Sequence, residues 1–310
     1  MANDITGSFA FAAFNTRASM KHYTRFRAYQ LPNKGSSFSL SVDNHFTLIE
    51  ARYNETNREH ILWELNLIKR TTIDVLHITS WDDDHCNFGE LCNLLKDLSP
   101  SLIEYPSEVP TTENGRKSRN AILEYAKTYV FCKAVSITPY FVKNEPKEPL
   151  KGRNLFYNPL INGDKSNNNS VVKFFRVGSF QVLSLGDCED SSIAQRLMKD
   201  PILKDEVDIM ILAHHGADNG FTTPEFLKAI DPLVCVCASN YANEYDHPKP
   251  IIRSRCQSLN IPLFTTKRGD IIAQTIDPKH FKVSNYVSNN EAKETVTPPL
   301  ENKTWYKSDV

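Results

Sequence analysis

The apolar run from Ile73 to Thr79 leads into Trp81-Asp82-Asp83-Asp84-His85, and this junction constrains the fold more than any other stretch of the 310-residue chain. A buried-looking strand delivers three carboxylates and an imidazole onto one strand-to-helix turn. Carboxylates crowded together raise one another's pKa unless a positive centre neutralises them, and a divalent metal ion accepts both carboxylate oxygen and imidazole nitrogen. The same residues also suit a solvated acidic loop that caps the helix expected to start near Phe88, since Asp is a good N-cap. Taken alone, the segment leaves both readings open.

Other strand ends carry the same kind of side chain. The run QVLSLGDCE, within residues 180–189, places Asp187 just past the C-terminal end of a strand, where α/β folds put their chemistry. Val207 to Gly216, VDIMILAHHG, is another apolar strand, ending in His214-His215-Gly216. Adjacent imidazoles at a strand end, followed by a glycine that relieves the backbone, point to at least one ligand. Tyr245-Asp246-His247-Pro248 precedes a Lys-Pro start and the spaced apolar residues Ile251, Ile252, Cys256 and Leu259, so His247 falls in the loop before a predicted helix.

In order along the chain, Asp82-x-Asp84-His85, Asn169-Ser170-Val171-Val172, Leu185-Gly186-Asp187, His214-His215-Gly216, Tyr245-x-His247-Pro248 and the segment Thr265 to Ile271 resemble the metallo-β-lactamase superfamily. The likeness spans about residues 25 to 276 and is greatest to the branch of the soluble domain of ComEC, the competence DNA-uptake channel protein. Tyr29-Gln30-Leu31, Lys34-Gly35-Ser36-Ser37 and Leu48-Ile49-Glu50 resemble the first β-hairpin of that branch. The resemblance implies a four-layer αββα sandwich of class α/β, with the site at one edge. It also implies metal ligands at Asp82, Asp84, His85 and Asp187 and at one of His214 and His215.

The chain departs from the family motif His-x-(His or Asp)-x-Asp-His by carrying Ser80 where the first His belongs, and a neutral hydroxyl is a poor substitute for imidazole. No His occurs between His85 and His214, so the family's mid-chain ligand is missing as well. One strong metal site and one weak site, the latter reduced to Asp82 and a bridging Asp187, are therefore expected. The oxygen-rich ligand set suits Mn²⁺ or Mg²⁺, while general affinity order favours Zn²⁺.

Strand-like and helix-like segments alternate without an internal repeat, which suits one domain over residues 1–283 followed by a polar tail over 284–310. Helices are expected at Glu59 to Lys69, Phe88 to Leu98, Arg116 to Cys132, Ser191 to Met198, Pro224 to Ile230 and Ile251 to Leu259. Residues 162–169, NGDKSNNN, read as a polar connection. Trp305-Tyr306 in the tail could dock on this chain or on a partner. Seven cysteines without paired spacing read as reduced core residues, although Cys86 and Cys188 adjoin expected ligands. The apolar patch Phe9 to Phe14 lacks a signal-peptide pattern and no run reaches the length of a membrane span, so a cytoplasmic protein is expected.

A metal centre of this kind activates water for hydrolysis. Asp84 or Asp187 would orient that water, and His247 or the non-ligating member of the His214-His215 pair would stabilise charge or protonate the leaving group. Nucleic acid is the substrate that the ComEC-like likeness implies, so a cytoplasmic nuclease under the control of a regulatory protein partner, in an antiviral defence setting, is the expected function. The alternative is a degenerate fold that binds without catalysing, motivated by Ser80. A net charge of −1 rules out grip on a polyanion by the whole surface. Local cations do occur at Arg116, Lys117 and Arg119, at Lys143 to Arg153, and at Lys249, Arg253 and Arg255. Lys249 and Arg253, at a helix start beside His247, are the expected phosphate contacts.

Overall fold

A computed structural model describes residues 22–137, 154–157, 165–242, 244–286, 292–296 and 298–303. The apolar patch at Phe9 to Phe14, the basic stretch Lys143 to Arg153 and Trp305-Tyr306 lie outside these residues. Two sheets face each other among the described residues. The first has the strand order β15-β14-β13-β1-β2-β3-β4-β5-β6, with β16 paired to β14. It contains β1 (Thr24–Ala28), β2 (Phe38–Val42), β3 (His45–Ile49), β4 (Val75–His77), β5 (Leu102–Pro106) and β6 (Lys133–Ile137). Its other strands are β13 (Asp270–Thr275), β14 (His280–Tyr286), β15 (Ala292–Thr295) and β16 (Leu300–Glu301). The second sheet runs β12-β11-β10-β9-β8-β7 and is built from β7 (Leu155–Tyr157), β8 (Val172–Phe175), β9 (Val182–Ser184), β10 (Ile209–Ile211), β11 (Val234–Cys237) and β12 (Leu263–Thr265).

Side-chain alternation builds the layers. Ile209 and Ile211 of β10, with Val234 and Val236 of β11, face Phe26, Phe38 and Leu40 of the first sheet, while Met210 and Cys235 point the other way. Successive residues of a strand point to opposite faces, and strands buried on both faces read as continuous apolar runs. The outer face of the first sheet packs on α1 (Glu55–Leu67), α2 (Phe88–Leu98) and α3 (Glu113–Thr128). The outer face of the second packs on α4 (Ser191–Leu197), α5 (Pro201–Glu206), α6 (Pro224–Ile230) and α7 (Pro250–Ser258). These are the four αββα layers.

Helix starts follow the caps. Asn54 and Asn57 form a capping box that starts α1 four residues ahead of the expected Glu59, and the Thr112 cap starts α3 three ahead of Arg116. Helix α5, opened by Asp200 and Pro201, is too short for a periodic signal and was not anticipated. The segment expected as a tail from residue 284 instead completes β14 and adds β15 and β16 to the same sheet edge. Polar residues are compatible with an antiparallel edge, where one face meets water, so low hydrophobicity there does not mean a tail.

Between the sheets lies a buried polar clamp. Lys173 of β8 donates to Glu104 of β5 at 2.6 Å, and Glu104 also lies 2.9 Å from Nδ1 of His77 on β4. The Lys173 ammonium sits over the Phe156 and Phe175 rings. Burial lowers the pKa of Lys173 and His77; against burial, the His77 hydrogen bond and the Lys173 charge bring Glu104 down to about 2.

Candidate metal centre

Strands β3, β4, β5 and β6 run parallel, as do β9, β10, β11 and β12, so the loops leaving β4, β9, β10 and β11 can meet at one edge. The acidic turn after β4 is pinned to its neighbours by backbone bonds: Ser36 N–H donates to the Asp84 carbonyl at 2.9 Å and Ala51 N–H to the His85 carbonyl at 2.8 Å. Helix α2 is capped by Asn87, whose side chain accepts from Glu90 N–H at 3.0 Å, and Asp83 accepts from the Asn87 amide at 2.8 Å. Capping therefore occupies Asn87 and Asp83 and leaves Asp84 to face the site.

Asp84, His85, Asp187 and His215 converge, each offering a ligand atom within 4.8 Å of the others. His85 Nε2 lies 2.9 Å from Asp187 Oδ1, and His215 Nε2 lies 3.6 Å from Asp84 Oδ2 and 3.8 Å from Asp187 Oδ1. Both Nε2 atoms are buried, and what they face are the Asp84 and Asp187 carboxylates. The opposite ring nitrogens are occupied. His215 Nδ1 donates to the Ala238 carbonyl at 3.0 Å, and His85 Nδ1 lies 3.1 Å from Glu50 Oε1. Glu50 is itself fixed by Thr79, through its N–H at 3.0 Å and its hydroxyl at 2.6 Å. A ring whose Nδ1 carries the donated proton turns its Nε2 lone pair outward, the state a metal ligand needs. Two such imidazoles and two carboxylates fit a divalent ion.

Electrostatics agree with that fit. Burial pushes the Asp84 and Asp187 carboxyls up, yet the His215 hydrogen bond and the His85 and His215 charges hold Asp84 below the carboxylate range, and His85 does the same for Asp187. Burial likewise opposes charge on His85 and His215, but Asp187 and its neighbouring carboxylates raise both. A pocket that draws protons onto two imidazoles is one that favours a cation.

The pair His214-His215 adopts left-handed backbone, with φ of 45° and 51°, and Gly216 follows at 76°. A Cβ at Gly216 would fall 2.8 Å from Pro248, so the glycine lets the His-His turn seat against the His247-Pro248 turn, where Lys249 N–H donates to the Gly216 carbonyl at 3.0 Å. His215 points into the cluster; His214 turns away, with Nδ1 3.0 Å from Glu189. His247 stacks parallel to His215, ring centroids 6.3 Å apart, and Tyr245 stacks on His247 at 5.7 Å. Burial and the His215, His214 and Lys249 charges bring His247 down to about 4, so its ring is neutral at neutral pH.

Of the expected site residues, Asp84, His85, Asp187 and His215 come together, with His247 beside them. Asp82 and His214 stand outside the cluster. Arg253 donates to the Pro248 carbonyl at 3.0 Å and lies 3.6 Å from Asp246, so its guanidinium braces the His247 loop. Lys249 has no side-chain partner among the described residues. Cys86 and Cys188 are buried in the two outer cores; burial raises both thiols, Cys86 to about 12. Sequence reasoning assigned no role to Glu50, which a carboxylate at the end of the apolar strand HFTLIE signals, nor to Lys34. A cleft of about 200 Å³ above the cluster is lined by Lys34, Asp84, His214, His215, Tyr245 and His247, with Ser239 and Asn240.

Comparison with protein-family profiles and with curated proteins gives no match. Solved structures do match. The metallo-β-lactamase fold protein YhfI from Bacillus subtilis aligns at 10% identity and a TM-score of 0.50, over 82% of this chain and all of that one. The E377D mutant of CmlA β-hydroxylase aligns at 10% identity and 0.51, over 83% of this chain and 54% of the other. With two facing sheets, helices on both outer faces and a carboxylate–imidazole cluster at the strand ends, the chain has the metallo-β-lactamase fold.

Proposed function

We propose that the protein is a metal-dependent hydrolase that cleaves phosphodiester bonds, most simply a nuclease. The observation that carries this reading is the convergence of Asp84, His85, Asp187 and His215, both buried Nε2 atoms facing carboxylates, beside an open cleft that Asp84 and His215 line. A divalent ion bound there, Zn²⁺ or Mn²⁺ with Mg²⁺ as a further candidate, would lower the pKa of water and polarise the scissile group. Asp84 and Asp187 hold and orient the attacking water, and His247, stacked between His215 and Tyr245, lies where it can hydrogen-bond the leaving oxygen.

Phosphate fits the rim. Lys34 and Lys249 bring positive charge to a cleft whose floor is acidic, and Tyr245 supplies an exposed aromatic face on which a base can stack. The ComEC-like likeness of the motifs supports a nucleic-acid substrate. A cytoplasmic nuclease has to be restrained, so control by a regulatory partner and a role in antiviral defence belong to the same reading. No helix among the described residues is long and apolar enough to cross a membrane.

Incubating the purified chain with Mn²⁺, Mg²⁺ or Zn²⁺ and linear DNA, circular DNA, RNA and cyclic dinucleotides tests the proposal. Cleavage that EDTA stops and metal restores is expected. Metal binding without turnover of any phosphodiester would leave the non-catalytic binding module in its place.

A further inference from the structure

The family resemblance carries two metal positions, and the residues that would form the first do not fit an ion. Ser80 Oγ donates to Asp82 Oδ2 at 3.1 Å and accepts from Asp82 N–H at 3.2 Å, so its single proton and a lone pair are committed within the turn. Ser166 Oγ donates to the same Asp82 oxygen at 3.3 Å. Beyond this knot, the Asn169 amide donates to Glu108 and the Trp81 indole to the Glu108 carbonyl at 3.2 Å. The imidazoles available to fill the gap are engaged elsewhere: His77 with Glu104 and His214 with Glu189. No other His follows His85 before residue 214, and the four-residue group is the single metal-competent cluster among the described residues.

We infer that the protein is built for one divalent ion per chain, with the first metal position of its fold replaced by a hydrogen-bonded plug of Ser80, Asp82 and Ser166. The inference rests on the metal centre proposed above but not on hydrolysis. Two hydroxyls satisfy one Asp82 oxygen where imidazoles and a cation would otherwise stand.

The test is metal stoichiometry on the full chain, stripped with chelator, reloaded with excess Zn²⁺ or Mn²⁺, freed of unbound ion and measured by elemental analysis and native mass spectrometry. One ion per chain is expected for the wild type. Asp82→Ala should retain that ion with affinity within about threefold, whereas Asp187→Ala should lose it. Circular dichroism on each variant separates a lost ligand from a lost fold. Two ions in the wild type, or loss of the ion in folded Asp82→Ala, overturns the inference. One ion without phosphodiester cleavage removes the functional reading and leaves this one standing; two ions with cleavage does the reverse.

Discussion

Glu50 lies 3.1 Å from Nδ1 of His85, on the far side of the ring from the metal cluster. The carboxylate fixes which nitrogen carries the proton, and with Thr79 holding both of its oxygens it also fixes where the ring points. Carboxylate–imidazole pairs of this kind typically govern metal affinity by about 10- to 100-fold. Glu50→Gln is expected to weaken metal binding by a factor in that range without unfolding the chain, as read by competition against a chromophoric chelator. Unchanged affinity would mean that His85 needs no second carboxylate.

Removing a ligand should be harsher. Asp84→Ala is expected to lower metal affinity and cleavage by at least about 100-fold while nucleic-acid binding persists, because the rim cations remain. Elemental analysis with a gel-shift measurement separates the two effects.

Metal binding should depend on pH in a defined direction. His85 and His215 are raised above the ordinary 6.5, so in the metal-free protein their ion pairs contribute stability that is full below that value and is lost as pH rises through the folded pKa values. Asp84 and Asp187 are depressed, and their contribution is lost only as pH falls through their folded values, below 3.8. Metal displaces the imidazole protons, so the difference in Tm between metal-loaded and chelated protein is expected to grow from about pH 6 to about pH 9. A difference that is flat across this range would contradict imidazole ligation.

The rim cations should divide by role. Lys34→Ala and Lys249→Ala are each expected to weaken nucleic-acid binding and reduce the salt slope by about 0.7 to 0.9 per phosphate contact. Arg253→Ala, whose side chain holds the His247 loop, should lower cleavage with little change in slope.

The inter-sheet clamp should be felt in stability alone. Lys173→Ala leaves Glu104 buried between the sheets without its cation, which typically costs about 3–5 kcal/mol, whereas metal stoichiometry of the folded fraction should stay unchanged. Urea denaturation with metal analysis checks both.

Much of the site was legible because each ligand terminates an apolar run: VLHIT before the acidic turn, VLSLG before Asp187, VDIMIL before His214 and His215. What sequence could not resolve were the choices made by side-chain partners. His215 is selected over His214 by the Ala238 carbonyl, which lies on another strand's end. Glu50 gains its role through Thr79 and His85, brought beside it by parallel pairing of β3 and β4. The short helix α5 and the strands beyond residue 284 carry too little periodicity to announce themselves, and they exist through packing and edge pairing.

The four ligands of the cluster hang from three strand ends, after β4, β9 and β10, and the strands below them are held by three apolar cores that none of the ligands enters. A change at one tip therefore leaves the scaffold and the other tips in place. Ser80 illustrates this modularity: it stands where the resemblance implies a His, yet the turn that carries it still delivers Asp84 and His85 a few residues later. Chemistry in such a molecule can be revised one loop at a time, at little cost to folding.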